Sequence, residues 1–433
     1  MTEKLLPVLT LLAIAWLGGA ALAATYYVSP AGDDAGPGSA AKPWRTLQYA
    51  VDSVHPRDTV LVKAGTYIGC CVRHPARADA WCTLKAEPGA KVLVNAAGPE
   101  NSHHDNIEVE MEGRVPGYWI VDGFEVADSI RYGISLRQSD YVTARNCTVH
   151  DSRVTGIVTS FSNHLTIENN ECYANGEHGI YHANSGDYPI IRGNRSHDNH
   201  GCGIHMNGDL NMGGKGQINH ALVEKNVIWG NGRGGGGGIN CDGVSDSVIR
   251  NNLIFDNHAS GITLYGIDAA EGSSRNLVCN NTVLMPDDGR WAITIGAHEG
   301  KPNPTANVLM NNIFLNANPR VGSITIWGAG ALQASDHNIV TDRMSTDDAT
   351  TVVPPEQWRS TLADWQVTGH DLHSLTAGPA DLFIDPAAHD YHLKPGSPAL
   401  RAGAPIPDLT DDLDSAPRPK SGPWDVGCYQ RGR

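Results

Sequence analysis

Beyond its first two dozen residues, this 433-residue sequence has no apolar run long enough to cross a bilayer. Basic clusters are missing too: 32 Lys and Arg stand against 47 Asp and Glu, a net charge of −15. That balance argues against a nucleic-acid partner. A polyanion would have to be held at a local basic or metal-bearing patch. The nine cysteines never fall as the C-x-x-C pairs of a zinc site. The 3.6-residue period of helical repeats is absent as well.

What is present begins with "MTEKLLPVLTLLAIAWLGGAALAA". Lys4, an apolar run and the small-residue stretch Ala21-Leu22-Ala23 predict a signal peptide over residues 1–24 and a secreted or periplasmic protein with no membrane contact after cleavage. That compartment permits disulfides; Cys70 or Cys71 is a candidate partner for Cys82, and at most one or two disulfides are expected, with the other thiols buried and free. The rest of the chain exceeds one ordinary globular domain, unless it folds as an elongated repeat.

A repeat is there. Gly-Ile recurs with isoleucines at 134, 157, 180, 204, 239 and 262, and Ile293 and Ile324 continue the column. Successive separations are 23, 23, 24, 35, 23, 31 and 31 residues. A step in the low twenties with occasional insertions fits one coil of a parallel β-helix. A second column, Asn170, Asn194, Asn226, Asn252, Asn281 and Asn312, is expected to form an amide ladder at left-handed turns. The glycine run 234–238 falls where the 35-residue coil re-enters its strand, and with residues 208–219 it is expected to flank a groove.

Each Gly-Ile opens a strand whose side chains alternate in and out. The outward pairs include Ser135/Arg137, Tyr181/Ala183, His205/Asn207, Asn240/Asp242 and Thr263/Tyr265. A free histidine titrates near neutrality, which makes His205 the candidate base, oriented by Asp242. Tyr181 and Tyr265 are candidates to protonate a leaving oxygen or stack on a sugar. Asn207, Asn240, Arg137 and, from the inner side, His182 are candidate substrate-binding residues. Asp187 and Asp209 at strand ends are candidate ligands for Ca²⁺.

The opening "TYYVSPAGDDAGPGSAAKPWRTLQYAVDSVHPRDTVLVKAGTY" and the closing "FIDPAAHDYHLKPGSPALRAGAP … DVGCYQ" resemble the caps of secreted right-handed parallel β-helix proteins, the pectate-lyase-like group. The resemblance covers nearly all of the chain after residue 24. It implies an all-β, right-handed parallel β-helix. The expected layout is an N-terminal cap with first coils over 25–100, repeats over 101–340, an insertion with a short helix over 341–375 and a C-terminal β cap over 376–433. The calcium-dependent members also imply an aspartate cluster and a lysine base on this face. Here no lysine takes an outward position between Arg137 and Trp327, and Lys215 lies in the inserted loop. The resulting expectation is a monomeric polysaccharide lyase that cleaves a polyuronate by β-elimination through His205 and the tyrosines. A glycoside hydrolase, a uronate epimerase and a non-catalytic carbohydrate-binding protein are the alternatives.

Overall fold

The computed structural model describes residues 23–98, 103–296, 299–328, 330–347 and 361–431. The expected signal peptide, apart from its last two residues, and part of the 341–375 insertion lie outside the described residues. Among the described residues, three long parallel sheets of 12, 11 and 12 strands span Thr25 to Thr376, each strand pairing with its counterpart one coil away. This is the parallel β-helix expected from the spacing.

The isoleucine column is in register from Ile134 through Ile157, Ile180, Ile204, Ile239, Ile262 and Ile293 to Ile324. All eight are fully buried. The column starts earlier than the Gly-Ile pattern shows, with Cys70 and Ile107 in the same register. Strands buried on their inner face in a coil this regular draw stability from apolar burial, about 25 cal/mol per Å² removed from water.

Asparagines stack beside that core. From Asn170 to Asn338 each amide nitrogen donates to the next Oδ1 at 2.9–3.1 Å. The ladder residues themselves are not the left-handed ones. That geometry belongs to the residue before, as at Asn169 (φ 56°), Asn251 (φ 53°) and Asn280 (φ 52°). A second ladder, Asn175, Asn199, Asn231 and Asn257, guards the turn into the Gly-Ile strand.

The N-terminal end is closed by the helix Leu47–Ser53, capped by Thr46, with Leu47, Ala50 and Val51 buried. The described part of the insertion holds the short helix Leu362–Gln366. Toward the C-terminus the strands Phe383–Asp385 and Asp390–Leu393 pair antiparallel. They pack Phe383, Tyr391 and Leu393 against Phe255 and Leu315 on one 12-stranded sheet. The candidate Cys82 disulfide does not form, whereas the buried free thiols also expected are there. All nine thiols are free and buried, and Cys82 lies in a different sheet from Cys70 and Cys71. Burial pushes the Cys70 thiol up to about 12 and so keeps it protonated.

Candidate active site

The 11-stranded sheet presents the outward residues in two rows. Tyr181, His205, Asn240 and Thr263 are successive partners in one row, and Ala183, Asn207, Asp242 and Tyr265 in the other. Strand alternation and register alone place them there. The Tyr181 ring stacks on His205 with centroids 4.8 Å apart and planes 20° apart. Two diagonal bonds cross between the rows. Asn207 Nδ2 donates to the Tyr181 hydroxyl oxygen at 3.5 Å, and Asn240 Nδ2 to that of Tyr265 at 2.8 Å. Thr263 donates to Asn240 Oδ1. Burial pushes Tyr181 up to about 12 and raises Tyr265 further, so both phenols are protonated at neutral pH.

The expected pairing of His205 with Asp242 is not made. Both carboxylate oxygens of Asp242 accept main-chain bonds, from Ile267 N at 2.8 Å and Asp268 N at 3.1 Å, and so tie down the following loop. His205 instead meets His178, a residue the strand pattern missed because it precedes the Gly179-Ile180 pair. His205 Nδ1 and His178 Nε2 are 3.2 Å apart, and His178 Nδ1 accepts the Cys202 N–H at 3.0 Å. Burial holds both imidazoles below their ordinary range, His178 at about 4. His205 Nε2 and Asn207 Oδ1 are buried and have no hydrogen-bond partner.

Arg137 does reach this face, and Arg131, also missed, joins it. Their guanidinium carbons lie 4.5 Å (Arg131) and 5.9 Å (Arg137) from the centroid of the Tyr132 ring. A cavity of about 210 Å³ opens between Arg131, Arg137, Ser160, Tyr181, Asn184 and Met212. The visible clue was "RYGISLR", two arginines bracketing a strand. Met212 comes from the 208–219 insertion, which therefore walls the cavity as expected. The glycine run does not. Gly236 turns with φ 100°, and a Cβ there would sit 2.5 Å from Cys202 Sγ, so the run serves close packing against the neighbouring coil.

Three further expectations change. His182 is fully buried, bonded to Thr159 and, at 3.0 Å, to Gly186 O, so it belongs to the core and does not meet substrate. Asp187 pairs with Lys215 and accepts from Asn219 N at 2.8 Å. Asp209 caps the turn Leu210–Met212 through Asn211 N. These two aspartates do not converge with Asp242 into an oxygen cage, so the residues present do not fit the calcium cluster that the resemblance implies. Among the described residues, the His178, Cys202 and His205 ligand atoms lie within 4.8 Å of one another. A metal there would need the Nε2 lone pair of His178. Its neutral ring has only one lone pair, and the Cys202 N–H holds that pair at Nδ1.

One more cluster escaped the sequence reading. Glu108 and Glu110 occupy the outward positions one coil before Ser135 and Arg137. His103 bonds Glu108 at 2.8 Å and Arg73 bonds Glu110 at 2.7 Å. Burial holds Glu108 up, while Arg73 and the neighbouring Glu108 hold Glu110 down, as expected of two carboxyls that share a proton.

Comparison with known proteins agrees with this architecture. Residues 26–283 match the model of the Pel9A-like right-handed beta helix region. The chain belongs to that family. Pectate lyase PEL9 of Emericella nidulans is 22% identical over 373 residues, 76% of this chain and 90% of that protein. The uncharacterized protein YwoF of Bacillus subtilis is also 22% identical, over 86% of this chain and 91% of its own length. Among solved structures, pectate lyase Pel9A superposes with a TM-score of 0.63 at 16% identity, covering 96% of this chain and 98% of that one. A rhamnogalacturonan lyase gives 0.54 at 16% identity, over 72% of this chain and 87% of its own. At such identities these likenesses establish the fold.

Proposed function

We propose that the face around Tyr181 and His205 cleaves an acidic, uronate-containing polysaccharide by β-elimination. The observation that carries this reading is the cavity in which Arg131 and Arg137 meet Tyr181. Elimination at a uronate first needs the charge of its carboxylate offset, because that makes the C5 proton removable. Two guanidiniums at one cavity suit that task, and a guanidinium matches a carboxylate bidentately. Elimination next needs a group that moves a proton. Tyr181 lines the same cavity, with the His205 ring stacked on it. The name of the Emericella relative supports a polyuronate as substrate. The export expected from residues 1–24 suits a polymer too large to enter a cell.

The test is a screen of the protein lacking residues 1–24 against pectate, alginate and glycosaminoglycans, with calcium or with chelator. Ultraviolet absorbance of an unsaturated product, lost in Tyr181→Phe and in the Arg131/Arg137 double alanine variant, is the expected result. New reducing ends without absorbance would replace elimination by hydrolysis.

A further inference from the structure

The tautomer of His205 follows from a chain of bonds that starts at the main chain. A backbone amide only donates, so the Cys202 N–H can meet nothing but a lone pair on His178 Nδ1. A neutral imidazole carries one proton, which in His178 must then sit on Nε2. That Nε2–H faces His205 Nδ1 at 3.2 Å. The bond exists only if His205 Nδ1 is itself a lone pair, and the single proton of His205 is thereby sent to Nε2. While both rings are neutral, no second arrangement satisfies all three groups.

We propose that His178 is a positioning residue that locks His205 as its Nε2–H tautomer, so that His205 meets the substrate as a neutral hydrogen-bond donor and not as the base. The proposal rests on the elimination reading above. The lock gives a purpose to an otherwise costly feature, since a buried donor without an acceptor costs about 1–3 kcal/mol and His205 Nε2 is such a group. A substrate oxygen on which negative charge develops is the acceptor it lacks.

The proton balance then runs through tyrosine. Tyr181, a phenol at neutral pH, first gives its proton to solvent, a loss that burial opposes and the Asn207 amide on its oxygen eases. The C5–H bond then breaks and its proton passes to the resulting phenolate. The electron pair spreads onto the uronate carboxyl, whose charge the cavity arginines offset, and His205 Nε2–H, buried until substrate binding uncovers it, adds a donor to the developing oxyanion. The pair then forms the C4–C5 double bond as the C4–O bond breaks. The same tyrosine returns the proton to the leaving oxygen. His205 neither gains nor loses a proton in this sequence.

The titratable groups around His205 are His178 beside it, Tyr181 on the strand before, and Cys202, Cys241 and Asp242 on its own and the following strand. No carboxylate bonds its ring.

The test uses the full mature chain labelled with ¹⁵N-histidine. Long-range ¹H–¹⁵N correlations report which ring nitrogen is protonated, and His205→Gln assigns the signal. The expected result is Nε2–H for both rings, unchanged from neutral to mildly acidic pH. His178→Gln keeps a donor toward Nδ1 and leaves the His205 tautomer in place with most of the turnover. His178→Glu offers an acceptor, moves the proton to Nδ1 and lowers elimination about 100-fold. A wild-type His205 protonated at Nδ1, a His205 that titrates near 6.5, or one equivalent of Zn²⁺ that shifts both ring signals would overturn the proposal. Because the spectrum needs no turnover, the expected tautomer in a protein without elimination activity would sink the functional reading and leave the lock standing.

Discussion

Asn207 and Asn240 each give one amide proton to a tyrosine, Tyr181 at 3.5 Å and Tyr265 at 2.8 Å, along parallel diagonals of one sheet face and in opposite senses. The two bonds point from different coils and bracket His205 between the phenols. An N–H on a phenol oxygen stabilises the phenolate over the phenol. Asn207→Ala is therefore expected to lower kcat on a polyuronate at neutral pH while leaving KM nearly unchanged. Steady-state absorbance assays of the purified variant decide this, and an effect confined to KM would assign Asn207 to binding alone.

The rate should rise with pH. Tyr181 lies at about 12, so its phenolate fraction grows tenfold per pH unit from neutrality to the alkaline range. A pH–rate profile with unit slope and no inflection near 6.5 is the expected outcome. A bell centred near neutrality would return the base to a histidine.

Stability should fall on the acid side. His178 is held at about 4 in the folded chain, and an unfolded histidine titrates near 6.5. The folded state thus binds fewer protons than the unfolded one between these values, and stability present above 6.5 is lost as pH drops through that window. The thermal midpoint should decline between pH 6.5 and 4, and His178→Gln should decline less steeply.

Arg137→Ala should raise KM for a polyuronate roughly 10- to 100-fold, the worth of one charge-assisted hydrogen bond. The effect should grow in the Arg131/Arg137 double variant and shrink with added salt. Equal losses on a neutral glycan would remove the carboxylate from the argument.

Asn226→Ala should destabilise the coil without touching the face. It strands the Asn194 N–H, takes one of two acceptors from the Asn194 side-chain amide and removes the donor to the Ile191 carbonyl, while Asn252 Oδ1 keeps the main-chain N–H of residue 226. Each stranded buried group costs about 1–3 kcal/mol. Denaturant unfolding should show the loss, with the exposed Asn211→Ala as the neutral control.

The coil was legible because register repeats. One Gly-Ile spacing placed eight buried isoleucines and, by alternation, Tyr181, His205, Asn240 and Tyr265 on one face. What alternation cannot give is where a side chain turns after leaving its strand. Asp242 was expected to orient His205 and instead bends to the Ile267 and Asp268 amides of its own loop. His178 and Arg131 sit just outside the strands, at turn positions that carry no period, so their arrival at the site depended on the fold. Cys82 failed as a disulfide partner for the same reason, since the spacing hid that it enters a different sheet.

The insertion 208–219 adds a wall to the cavity through Met212, yet His205 and Asn240 on either side of it remain direct partners. A dozen residues can be spliced between two rungs while the rungs do not notice. The frame that holds the reacting groups and the wall that selects what reaches them are therefore separately editable. Exchanging this one loop should redirect the choice of polymer and leave the chemistry where it is.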